Sequence, residues 1–180
     1  PPSPTLMPQP TQAQQSSPTP TPTIPTSSID LTELARKLQA GYAEYLHGTG
    51  DQGAGNMTPY IPQFVEAAQK YPLTKANPYL APAISILETS AGRNITRPNN
   101  LLNWGINVPG NNEAFSQMTI KQVLDRALSG LGERSPYYSQ FRTGKPMTPE
   151  EIRRFAKIYE PQNNAYGQML QQAMETFARQ

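Results

Sequence analysis

Glu88 is the only charged side chain between Lys75 and Arg93, and it closes an aliphatic run, Leu80 to Leu87. Leu80, Ala83, Ile84, Leu87 and Ala91 recur at helical spacing, which predicts one amphipathic helix with Glu88 near its C-terminal end and Gly92 stopping it. A carboxyl among aliphatic neighbours loses hydration, and a carboxyl kept partly dry is what a general acid working near neutral pH requires. Ser85, Thr89, Ser90, Ala91 and Gly92 are small, so a ligand ring has room to approach. The bland alternative is a capping acid or an ion pair with Arg93. Other chemistries lose their reagents: the chain has no cysteine and one histidine, His47, so Cys or His zinc sites and histidine-activated nucleophiles are not expected. No metal or cofactor is implied. Any catalysis here would rest on carboxylates, and Glu113, the only one between Glu88 and Asp125, is the candidate for a second role beside Glu88.

The helix ending Glu88-Thr89-Ser90-Ala91-Gly92, the Asn99-Asn100 pair and the step Trp104-Gly105-Ile106 together resemble the glucosaminidases of the lysozyme-like superfamily, which cut bacterial peptidoglycan. The resemblance is best over residues 78–106 and extends through Tyr159 and Tyr166. It implies that Glu88 protonates the glycosidic oxygen and that Asn99, Asn100 and Trp104 form the loop wall beside the sugar. The family sets its asparagine pair directly before the aromatic-glycine step. Here Leu101, Leu102 and Asn103 intervene, so Asn100 and Asn103 are alternative occupants of that position. Tyr159 resembles the tyrosine ahead of the family's Pro-x-x-Asn segment, with a phenol available to an N-acetyl group, the substrate or the catalytic carboxyl; Tyr166 is a second groove candidate. For both tyrosines, and for Trp104, the alternative is core packing.

The elements that must carry these residues read as helices. Leu31, Leu34, Ala35, Leu38, Tyr42 and Tyr45 predict a first helix over 30–46, opened by a capping box in Ser27-Ser28-Ile29-Asp30. His47 at its end is best read as a cation favoured by the helix dipole. Pro59 and Pro62 open a second helix, and Tyr71 to Pro78 is a turn into the Glu88 helix. Pro82 fits only in that helix's first turn, so the boundary lies at Asn77 or several residues later. Arg93 to Phe115 reads as a long functional loop, the place where lysozyme-like folds carry a small loop or hairpin lobe. Three further helices follow, from Thr119 to Leu131, from Thr148 to Tyr159 with a capping box and Pro149 at its first position, and from about Asn164, with a short one at Ser135-Pro136 closed by Gly144. Seven helices and no alternating strand predict a mainly α, or α+β lysozyme-like, domain.

Composition supplies the frame. Nine of the 20 prolines and no charge fall in residues 1–28, so this segment is expected to be either an extended linker that tethers residues 29–180, the predicted glucosaminidase domain, to an anchor or second domain, or a plain disordered tail. A net charge of +2 without basic runs argues against a nucleic-acid surface, and no stretch is long and apolar enough to span a bilayer. The expected partner is the peptidoglycan glycan strand, and the expected location is extracellular, periplasmic or wall-associated. Three functions remain open: an endo-β-N-acetylglucosaminidase, a lytic transglycosylase or muramidase using the same Glu88, and a non-catalytic glycan-binding scaffold.

Overall fold

The computed structural model describes residues 30–48, 57–95, 99–105 and 108–180. The whole expected linker, residues 1–28 with Ser27 and Ser28, and residues 49–56 of the Gly-rich stretch lie outside them. Among the described residues there are eight α-helices and no strand. They are α1 (Leu31–Gly48), α2 (Ile61–Lys70), α3 (Pro72–Ala76), α4 (Leu80–Thr89), α5 (Asn111–Ser116), α6 (Ile120–Ser129), α7 (Pro149–Tyr159) and α8 (Tyr166–Ala178). The fold is mainly α.

Prolines place three of the eight starts. Pro62, Pro72 and Pro149 stand in the first turns of α2, α3 and α7, where a missing N–H removes no helical hydrogen bond. Pro82 is tolerated for the same reason, because α4 begins at Leu80 rather than at Asn77. Capping boxes start α6 and α7: the Thr119 hydroxyl accepts from Gln122 N at 3.3 Å, and that of Thr148 from Glu151 N at 3.2 Å. For α1 the cap is Asp30, whose carboxylate accepts from Thr32 N at 2.9 Å and Glu33 N at 3.2 Å. The expected turn between Tyr71 and Pro78 folds into α3, and α6 runs on into a π-helical turn at Gly130–Arg134 instead of ending at Leu131. The segment expected to close at Gly144 is a 3-10 helix, Pro136–Phe141.

The central element is α4. Its apolar stripe was expected on one face, but Leu80 to Ile86 are all buried, Ala81, Pro82 and Ile86 included. Helix α8 packs against α4, α7 and α1, so α4 keeps open only the side that carries Leu87 and Glu88, both half-buried. A polar tie crosses the core where the Tyr42 hydroxyl meets Ser85 Oγ at 2.7 Å. Phe177 closes the other end, edge-on to Tyr42 with ring centroids 5.0 Å apart. It reaches α1 only because residue 41 is glycine: a Cβ there would overlap the Phe177 ring. Gly41→Ala is therefore expected to lower stability by about 1–3 kcal/mol through overpacking. Calorimetry would show this as a drop of several degrees in Tm, and an unchanged Tm would mean that the α1–α8 contact is looser than described here.

Candidate functional site

Helix α4 ends one turn earlier than Gly92. Its last residue is Thr89, and Ser90, Ala91 and Gly92 follow in the left-handed region with φ of 51°, 57° and 84°. Such a conformation costs a non-glycine residue about 1 kcal/mol and persists only where its surroundings enforce it. The enforcement here comes from Thr89, whose hydroxyl donates to Ser85 O at 2.7 Å and accepts from Gly92 N at 2.8 Å, while its carbonyl accepts from Asn94 N at 2.9 Å. Ala91 is thereby turned out of the helix into the core, and the chain leaves Glu88 unobstructed.

The loop that faces it uses asparagine three times for three tasks. Asn99 sits at φ 53° and its amide donates to the carbonyls of Phe115 and Met118, which ties the loop to α5 and the turn after it. Asn100, wholly buried, brackets the backbone of Trp104: its Oδ1 accepts from Trp104 N at 3.0 Å and its Nδ2 donates to Trp104 O at 2.9 Å. Asn103, at φ 47°, donates through Nδ2 to Glu88 Oε2 at 2.6 Å. Left-handed backbone suits asparagine better than other non-glycine residues. The inserted Leu101 and Leu102 are buried and anchor the loop in the core, so that it is Asn103, and not Asn100, that reaches the carboxylate. Asn99 and Asn100 hold the wall without facing the groove.

Two tyrosines were expected near Glu88, and the structure gives them each other's tasks. Tyr166, at the start of α8 and only 3% exposed, donates its phenol to Glu88 Oε1 at 2.6 Å. Tyr159, at the end of α7, donates instead to the Leu102 carbonyl and so holds the loop. The two rings stack with centroids 6.0 Å apart, and Phe155 stacks on the far side of Tyr159 at 5.7 Å. Burial raises the pKa of both phenols, and the neighbouring Glu88 charge raises it further. They therefore remain donors at neutral pH. Among the described residues Glu88 makes no ion pair; Arg93 turns its Nε to Ser90 O at 3.2 Å.

Glu88 opens on a groove of about 360 Å³ whose walls include Asn103, Trp104, Tyr138, Tyr159 and Glu160. That volume is within the range of small-ligand sites. Trp104 is packed on one side and faces the groove on the other. Its ring packs over Gly130, where a Cβ would overlap it, and lies 5.7 Å from Tyr138, while its exposed side lines the groove. Glu113 is exposed on α5 and is not among the residues that line the groove. The place expected to hold a loop or hairpin lobe forms a short helix there, which fixes Glu113 facing solvent. The second carboxylate in the groove is Glu160, the residue that caps the C-terminus of α7. Sequence reasoning passed over it, although its position directly after Tyr159 and before Pro161 was a usable signal. His47 is exposed at the end of α1, as its helix-terminal reading requires. No group of side chains among the described residues is suited to hold a metal ion, and no helix there is long and apolar enough to cross a membrane.

Comparison with known protein families, with characterised proteins and with solved structures finds no match for this chain. The assignment of function therefore rests on the geometry of the groove.

The buried phenols make a pH prediction. Burial pushes Tyr138 up to about 12 and also raises Tyr42, Tyr159 and Tyr166 well above the ordinary value. With folded values above the ordinary 10.0, the stability these groups contribute is complete below about pH 10 and is lost as pH rises through the folded values. In an alkaline titration their tyrosinate absorbance should emerge together with loss of helical circular dichroism. Complete ionisation of all nine tyrosines with the helical signal intact would contradict the packing.

Proposed function

We propose that this chain is a peptidoglycan hydrolase of the endo-β-N-acetylglucosaminidase type, with Glu88 as the general acid. One observation carries the reading: Glu88 stands at the wall of an aromatic-lined groove with one carboxyl oxygen held by Tyr166 and the other by Asn103, at 2.6 Å each. Two fixed donors orient the carboxyl, and both are in place to hold the carboxylate that remains once the proton has gone to the glycosidic oxygen. Trp104 and Tyr137 offer exposed aromatic surface in the groove to sugar rings. The resemblance to lysozyme-like glucosaminidases supports the role of Glu88, although the side chains on its carboxyl are Asn103 and Tyr166 rather than Asn99, Asn100 or Tyr159. Action on the wall places the enzyme outside the cytoplasm, with residues 1–28 as its tether.

A second reading draws on the position of Glu113. With that carboxylate in solvent, a lytic transglycosylase is also supported, since attack by the muramic C6 hydroxyl needs only the acid. The same acid would serve a muramidase. The products separate them: reducing glucosamine ends for the first reading, 1,6-anhydromuramic ends for the second and reducing muramic ends for the third. A non-catalytic wall-binding domain would release none of these.

Glu88→Gln is expected to reduce clearing of cell-wall zymograms by about 10²- to 10⁴-fold, with Tm within a few degrees of the parent because the side chain is half exposed and nearly isosteric. Undiminished clearing by a folded variant would refute Glu88 as the acid.

A further inference from the structure

We propose that the groove recognises a primary ammonium group on its glycan substrate, with Glu160 as the anionic partner. The inference rests on the reading that the groove takes a glycan. Its basis is a charge placed against the protein's own stability. Glu160 stands at the C-terminus of α7, where the exposed carbonyls already make the potential negative and a cation is favoured. It shares the groove with a second carboxylate, Glu88, and like charges in one cleft repel. The Glu160 side chain has no hydrogen bond or ion pair among the described residues; only its backbone is engaged, by Ala156 and Asn163. A carboxylate with no partner in this position is most simply completed by a ligand.

The walls favour the same ligand. Among the described residues, every charged group lining the groove is a carboxylate, although the chain as a whole carries +2. The local negative sign is therefore a property of the groove and not of the protein. Glu160 shares the groove with the open ring of Tyr137, 71% exposed on the rim, and with the groove-facing side of Trp104. Aromatic faces beside a carboxylate are the environment that binds an ammonium, through cation–π attraction together with charge. The same sign disfavours anionic glycans. Two substrates carry this chemistry: an amino sugar with an unacylated nitrogen, and a strand whose stem peptide ends a side chain in a free amine.

Calorimetric titration of the full chain, below the pKa of the amines and at low salt, distinguishes these cases. The ligands are an N-acetylglucosamine tetramer, a glucosamine tetramer, and an N-acetylated disaccharide bearing a peptide with a free lysine-type amine. At least one amine-bearing ligand should bind about five- to tenfold more tightly than its acetylated counterpart, and which one does identifies the source of the ammonium. The preference should shrink at high salt and disappear in Glu160→Gln. Equal or tighter binding of acetylated ligands, or a preference that survives Glu160→Gln, overturns the inference. If acetylated ligands are bound and cleaved without preference, the glycosidase reading stands and only this inference falls; binding of none of the three overturns both.

Discussion

The structure depends on holding one carboxylate at the meeting of three separate parts of the chain. Glu88 comes from the end of α4, Asn103 from the loop after it, and Tyr166 from the first turn of α8, and they converge through hydrogen bonds of 2.6 Å on either oxygen. None of the three could be positioned by its own element alone. The α4–α8 packing sets Tyr166, the burial of Leu101 and Leu102 sets Asn103, and the burial of α4 nearly all the way round gives both a fixed reference. A fully buried charge would lose more hydration than such contacts return. Half exposure avoids that cost and leaves one side of the carboxyl for a substrate.

Backbone strain gathers around the same point. Ser90, Ala91, Asn99 and Asn103, the described non-glycine residues with positive φ, all lie between the end of α4 and Trp104. Each is held in place by a contact that the site itself needs: Thr89 at the helix end, the amides of Asn99 and Asn103, and the double bracket of Asn100 on Trp104. The aromatic column of Phe155, Tyr159 and Tyr166 supports this loop from the α7–α8 side, with the Tyr159 phenol fastened to Leu102. Strain enforced in this way preorganises the groove, so binding does not have to order it.

Much of this was legible in the sequence, for identifiable reasons. Helices with an intact capping box or an N-terminal proline, such as α6 and α7, could be placed to within a residue at their starts because those signals are local. Glu88 stood out by isolation in an aliphatic run. What stayed hidden was set by tertiary packing. The left-handed turn after Thr89 could not be read from Ser90 and Ala91, which carry no preference for it. The exchange of tasks between Tyr159 and Tyr166 depends on how α7 and α8 pack. Glu113 is the carboxylate that nearness to Glu88 in sequence suggests, whereas the groove brings in Glu160 from a segment some seventy residues away.

The most direct test of the clamp is the steady-state kinetics of Tyr166→Phe, which keeps the stacked ring and removes only the donor to Glu88. Losing a hydrogen bond to a charged group of about 1.5–3 kcal/mol should lower kcat by about ten- to a hundredfold while KM stays near that of the parent. A variant with unchanged kcat would show that holding this carboxylate has no part in the chemistry and would contradict the account.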